Sequence, residues 1–260
     1  MREDTAVVIG GEGTVGKATR KLFNIKYSFD KKKSNINLNE AHHKCLFVFV
    51  CLPTPVKDGV YQTEDITSLV RQMAAMGNRN IFVIRSTVYP GYGRWLHKKF
   101  GVPIVSFPEF GNADTMYEDM KDPDFVVLGA DSDSYWALDK LQKTYYPDLD
   151  SSKLLSTDNT TAEQIKVSLN AFYATKVIFA NEIYDSCEAS LANYELVKYV
   201  LEHSRYGSRN HFEIYHKGGR GAGGACLRKD LEFMANFTNS DLLKTADRIN
   251  KKLLSETKKT

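Results

Sequence analysis

Ala6-Val7-Val8-Ile9-Gly10-Gly11-Glu12-Gly13-Thr14-Val15-Gly16-Lys17 carries a β-branched run straight into Gly11-x-Gly13-x-x-Gly16, and Val15, Ala18, Leu22 and Phe23 then recur at helical spacing. The order is strand, turn, helix. In that order each glycine has a reason: a tight turn, a close approach to a pyrophosphate, and a helix packed closely on the strand. The stretch predicts the opening unit of a dinucleotide-binding sheet, with Gly11, Gly13, Thr14, Val15 and Gly16 at the cofactor. Asp30 ends a second strand-like run at 25–29. An acidic side chain at that distance takes the ribose hydroxyls of NAD and repels the extra phosphate of NADP, so NAD is the expected cofactor.

Working outward, Cys45-Leu46-Phe47-Val48-Phe49-Val50-Cys51 is an unbroken apolar run that stops at Leu52-Pro53-Thr54-Pro55. A parallel strand covered on both faces reads this way. Residues 81–84 form a second such strand before Ser86-Thr87-Val88-Tyr89-Pro90-Gly91, with shorter strands predicted at 103–106 and 125–128 and helical stretches between them. The alternation predicts an α/β fold with a Rossmann-like, doubly wound parallel sheet. Ligands of such sheets sit at the carboxyl ends of the strands, where Pro53, Thr54, Thr87 and Glu109 fall. A threonine there also stabilises turns, and a glutamate there is also an ordinary surface residue.

The texture changes after Asp158. Positions 160–206 hold no glycine or proline, and Ile165, Leu169, Phe172, Ile178, Ile183 and Leu191 recur with helical spacing. An all-helical central domain with one long helix is predicted, stopping or kinking near 190–193. The expected division is 1–157 and 158–260. A helix with that much apolar surface packs against a partner copy, so a homodimer through the long helix is expected. Lys166 and Asn170 lie four apart on it, an ammonium and an amide on one face, suited to polarising a hydroxyl or holding an oxyanion, or simply solvated.

Gly221-Ala222-Gly223-Gly224-Ala225-Cys226-Leu227-Arg228-Lys229-Asp230 delivers one thiol from a glycine-rich turn to a predicted helix start. The positive helix end favours a thiolate there, and Asp230, one turn on, is placed to orient Cys226 or a water. Covalent catalysis is one reading of this stretch; a buried structural cysteine is the other.

Composition bounds the function. The chain of 260 residues, 42% hydrophobic, supports one large or two modest domains, and a net charge of +3 is too small to imply nucleic acid. No apolar stretch reaches membrane-spanning length, and the N-terminus reads as a strand rather than a signal peptide, so a cytoplasmic protein is expected. Cys45, Cys51, Cys187 and Cys226 show no CxxC or metal-ligand spacing, and the six histidines form no HExxH-like pattern. Reduced thiols and no metal site are expected.

Taken together, the glycine turn, Leu52-Pro53-Thr54-Pro55, Ser86-Thr87-Val88, Pro108-Glu109-Phe110, Lys166 to Asn170 with Asn181-Glu182-Ile183, and the stretch from Gly221 to Asp230 follow the order of the UDP-glucose/GDP-mannose dehydrogenase family, which the chain resembles along nearly its whole length. The resemblance implies NAD-dependent four-electron oxidation of a sugar-nucleotide C6 alcohol to a carboxylate, with UDP-glucose the leading substrate. It implies Cys226 as the nucleophile that passes through a thiohemiacetal and a thioester, Lys166 and Asn170 as oxyanion holders, Asp230 and Thr87 as water-positioning groups, and Glu109 as the acid/base of thioester hydrolysis. Phe110, Gly111 and Gly223 join Lys166 and Asn170 at the substrate.

Departures from the family pattern shape the expectation. Pro-Glu-Phe continues here as Gly111-Asn112-Ala113 where the family has Leu-Arg-Glu, leaving Asp114 as the candidate second carboxylate. Cys45 follows Asp30 by only fifteen positions, so the helix and loop after the second strand are expected to be mostly missing. Residues 242–254 resemble the helix that leads into the family's third, nucleotide-recognising domain, and the sequence ends soon after. Without that domain, grip on the nucleotide is expected from Arg205, Arg209, Tyr215, Lys217 and the turn at 221–224. The alternatives are the same chemistry on another nucleotide sugar or sugar phosphate, or a weakly active NAD-binding partner subunit.

Overall fold

The computed structural model describes residues 6–205, 207, 210–215 and 219–256. In chain order its first elements are β1 (Ala6–Ile9), α1 (Thr14–Leu22), β2 (Tyr27–Phe29), α2 (Leu38–Lys44), β3 (Phe47–Val50), β4 (Val56–Lys57), β5 (Val60–Tyr61), α3 (Glu64–Ala75) and β6 (Ile81–Ile84). They are followed by α4 (Tyr92–Phe100), β7 (Ile104–Ser106), α5 (Met116–Lys121), β8 (Val126–Gly129), α6 (Tyr135–Tyr145), β9 (Leu154–Thr157), α7 (Asn159–Ser190), α8 (Tyr194–His203), α9 (Ala225–Phe237) and α10 (Asp241–Glu256). Two compact units divide the chain: Met1–Thr54 with Gln62–Lys166, and Pro55–Tyr61 with Val167–Thr260. The division therefore falls inside α7, and it gives the β4–β5 hairpin to the second unit.

The first unit is a Rossmann-like sheet of seven strands in the order β2-β1-β3-β6-β7-β8-β9. Alternate side chains explain the unbroken apolar runs. Val7, Ile9, Val48, Val50, Phe82 and Ile84 enter one core with Ile66, Val70, Met73 and Leu96 of α3 and α4. Ala6, Val8, Phe47, Phe49, Ile81 and Val83 enter the other with Ala137, Leu138 and Leu141 of α6. Both faces are covered, so neither needs polar residues.

The sheet is parallel, as expected, apart from one pair: β8 runs antiparallel to β7 at Ser106 and Gly129. Parallel neighbours require a crossover that returns the chain over the sheet. Between β7 and β8 the helix formed is the short α5, whose Met116 and Met120 pack on Ala18 of α1. No crossover results there, and β8 enters reversed. The gap after Asp30 holds a seven-residue α2, capped reciprocally by Asn37 and Glu40.

In the second unit α7 runs unbroken to Ser190, Leu191 takes a left-handed φ of 57°, and Asn193 caps α8 by accepting from the Leu196 amide. Ala174, Ile178, Ala222, Leu231 and Ala246 form the core that joins α7, α9 and α10. Among the described residues no helix is long and apolar enough to cross a membrane.

Candidate active site

The cofactor end of the first unit starts where β1 stops, beside β3, where the strand order turns outward in both directions. Gly13 is the N-cap of α1, no side chain caps it, and no acidic residue occupies the first turn. The unpaired N–H groups and the positive helix end are left for an anion. A Cβ at Gly16 would lie 2.2 Å from the Gly10 carbonyl oxygen, so only glycine lets the helix close on the turn. Thr14 and Val15 open the helix, with Val15 packed toward Ala18 and Met116.

Asp30 follows β2. Its Oδ1 accepts from the Lys32 amide at 2.9 Å and its Oδ2 from the Glu12 amide at 3.1 Å. These two hydrogen bonds, Lys32 first, hold the carboxyl below its usual range despite some desolvation, so it is charged at neutral pH. Thr54, buried beside the exposed Pro53, donates to the Thr87 carbonyl at 2.5 Å and ties the loops after β3 and β6. The cradle without Cβ atoms, the uncapped helix start and the charged Asp30 fit a dinucleotide's pyrophosphate and adenosine ribose.

Further along the same strand ends, Thr87, Ser106, Glu163 and Lys166 bound a small pocket. Lys166 Nζ lies 3.5 Å from Glu109 Oε1, with the two side chains 7% and 9% exposed. It also sits over the Phe110 ring at 5.3 Å. Glu109 Oε2 is buried and has no hydrogen-bond partner among the described residues. The Gly111-Asn112-Ala113 turn is pinned by Asp119, whose Oδ2 accepts from the Asn112 amide and the Thr115 hydroxyl. Asp114 is exposed.

Sequence reading missed Glu163. It accepts from the Gly91 amide (2.7 Å), the Gly93 amide (2.8 Å) and the Ser106 hydroxyl (2.8 Å), and burial pushes its carboxyl up to about 7. On a helix of mixed character it is one more acidic residue, and only its three-dimensional partners mark it.

In the second unit Cys226 is the second residue of α9, exposed and in no disulfide, after the N-cap Gly224. Asp230, one turn on, is fully buried. Its Oδ2 accepts from Asn170 Nδ2 at 2.6 Å, and its Oδ1 accepts from the Tyr61 hydroxyl at 2.5 Å and Lys229 Nζ at 2.6 Å. Asn170, Asp230 and the start of α9 are thus brought together around the thiol-bearing turn. The turn is held by Asn250 of α10, which accepts from the Ala222 amide at 2.8 Å. Gly223 is exposed on it; Arg205, just past α8, and Tyr215 are exposed elsewhere in the unit, and Arg209 and Lys217 lie outside the described residues. Tyr61 and Asn250 were not anticipated. A signal for the first was available in Asp58-Gly59, a two-residue hairpin turn.

Sheet order, glycine cradle and acidic residue after the second strand define the first unit as a dinucleotide-binding domain of Rossmann type. The family's NAD-binding domain matches residues 7–147 and its central domain residues 160–252, and the chain belongs to the UDP-glucose/GDP-mannose dehydrogenase family. It is 33% identical over 195 residues to a UDP-glucose 6-dehydrogenase of Rhizobium meliloti (strain 1021), covering 70% of this chain and 44% of that one. A UDP-glucose 6-dehydrogenase of Rickettsia prowazekii (strain Madrid E) is 31% identical over 217 residues, covering 80% and 48%. The chain thus spans about half the length of these relatives. The structure of a UDP-glucose dehydrogenase from the archaeon Pyrobaculum islandicum shares the fold with a TM-score of 0.78 at 21% identity, covering 96% of this chain and 68% of that one.

Proposed function

We propose that the protein oxidises the C6 alcohol of a nucleotide sugar to the carboxylate, UDP-glucose to UDP-glucuronate being the leading case, through a covalent intermediate on Cys226. The observation that carries this reading is the exposed Cys226 thiol at the start of α9, one turn before a buried Asp230 already fixed by Asn170. NAD, when bound, takes up hydride in each of two oxidations. In the first, the alcohol becomes an aldehyde. The Cys226 sulfur then adds to the aldehyde carbon, giving a thiohemiacetal that cannot diffuse away. Loss of a second hydride leaves a thioester, and water cleaves it to the carboxylate and the free thiol.

The chain's own residues have distinct parts in this scheme. Lys166 neutralises the oxyanion that develops at the reacting carbon, with Asn170 as a neutral donor. Glu109, whose Oε2 has no partner among the described residues, takes a proton from the attacking water. Asp230 and Thr87 orient that water. Gly11, Gly13, Gly16 and Asp30 hold the cofactor, and Phe110, Gly111 and Gly223 border the sugar. Arg205 and Tyr215 are assigned to the nucleotide. The Gly111-Asn112-Ala113 turn, pinned by Asp119, favours as a second reading the same chemistry on a different nucleotide sugar. A cytoplasmic location accords with a reaction that draws on NAD and a reduced thiol.

Stoichiometry tests the reading. Each sugar yields two NADH and one acid with no free aldehyde, and Cys226→Ala abolishes acid formation while NAD still binds. A Cys226→Ala protein that makes uronate at the wild-type rate, or a wild-type protein that stops at one NADH, is incompatible with it.

A further inference from the structure

We propose that Tyr61 is a positioning residue for Asp230, its phenol fixing the orientation of the carboxylate that directs the water cleaving the Cys226 thioester. The role rests on the thioester reading above and adds to it a residue outside the motifs that carry the family resemblance.

The hairpin that brings Tyr61 is built for the purpose locally. Val56 pairs with Tyr61 and Lys57 with Val60, and the turn residues Asp58 and Gly59 both take positive φ, 52° and 72°. Such a turn matches the twist of a two-stranded ribbon. Asn236 Nδ2 donates to the Gly59 carbonyl at 3.3 Å. The Tyr61 ring packs on Phe233 with centroids 4.5 Å apart, and Lys229 Nζ lies 4.7 Å from the Tyr61 ring centre. Residues 229, 230, 233 and 236 recur at helical spacing, and Cys226 precedes Asp230 by one turn on that face. The hairpin therefore lies along the thiol-bearing side of α9, its tip at Asn236 and its open end at Asp230.

A carboxylate offers about four acceptor sites, two on each oxygen. Tyr61 and Lys229 fill Oδ1, and Asn170 takes one site on Oδ2. Three donors among the described residues thus fix both oxygens of a fully buried carboxylate. Burial, then the charge of Asp230, pushes the Tyr61 phenol far above its ordinary range, which favours its role as a donor. Without the phenol, Oδ1 loses a donor, Lys229 is freed to swing, and the carboxylate is no longer held in one orientation.

Tyr61→Phe keeps the ring on Phe233 and beneath Lys229 and removes only the donor, so the melting temperature serves as the control for packing. With UDP-glucose and NAD as substrates, the expected result is a fall in kcat of about tenfold or more with KM unchanged. First-turnover NADH release is retained, and mass spectrometry finds the acyl group accumulated on Cys226. In an Asp230→Asn background the same change has no further effect, because the phenol acts through that carboxylate. Wild-type kcat and wild-type thioester levels in Tyr61→Phe overturn the role of Tyr61 alone, and so does a full additional loss on top of Asp230→Asn. A wild-type protein that turns over without any acyl group on Cys226 overturns the thioester reading and the proposal with it.

Discussion

Asp30 spends one carboxylate oxygen on the Glu12 amide and the other on the Lys32 amide, folding the cofactor turn back on itself while keeping its charge. A phosphate on the adenosine ribose would meet that charge at close range. NAD is expected to bind roughly 100-fold more tightly than NADP, and Asp30→Ala to narrow the gap. Fluorescence titration with both cofactors measures it, and equal affinities in the wild type would remove Asp30 from this role. Asp30 and the glycines were legible because turn chemistry is written in local spacing. Other site residues find partners far along the chain: Tyr61 is 169 residues from Asp230, and Glu163 is 72 from Gly91. A single sequence does not encode such pairings in any spacing rule: the Asp58-Gly59 turn marks a hairpin, but nothing near it names the partner of Tyr61.

At the scale of elements, α7 is fastened at its first turns. Asn159 Oδ1 accepts from the Ser106 amide at 3.0 Å, and Glu163 accepts from both Gly91 and Gly93 at the start of α4. Lys166, one turn further on, is thereby set against Glu109. Glu163 makes this clamp sensitive to pH. Its carboxyl is raised from 4.5 to about 7 by burial, which outweighs the hydrogen bonds that favour ionisation. Below pH 4.5 both folded and unfolded chains hold the proton. Between 4.5 and 7 the unfolded chain releases it first, so stability falls as pH rises and the loss is complete above 7. The gap is worth roughly 3 kcal/mol. Urea unfolding at pH 5 and pH 8 should show a loss in the wild type that Glu163→Gln lacks; parallel losses in the two proteins would exclude Glu163 as the source. The strands buried on both faces were readable because a fully covered strand has no polar option. The strands of the hairpin and β9 were not, since strands of two residues, or an edge strand with Leu155 half exposed, carry too little apolar pattern to stand out, and only the Asp58-Gly59 turn signals the hairpin.

For the whole molecule, the apolar surface left on the second unit bears on how chains associate. Phe172 and Phe179 lie seven apart on α7, 55% and 50% exposed, and Leu196, Tyr199 and Val200 present a second exposed apolar row on α8. Spacings of seven on one helix and of three and four on the other each give one continuous face. Contiguous apolar faces of this kind mark association sites, and a two-fold pairing of long helices covers such a face with its own copy. The protein is therefore expected to sediment at twice the mass of the chain. Burying a phenylalanine contributes about 2 kcal/mol, and a two-fold axis counts each substitution twice. Phe172→Asp together with Phe179→Asp should shift the protein to monomer at micromolar concentration while NAD binding in the first unit is retained. A wild-type protein that sediments as a monomer, or a doubly substituted protein that remains a dimer, would show that these helices meet something other than a second copy of the chain.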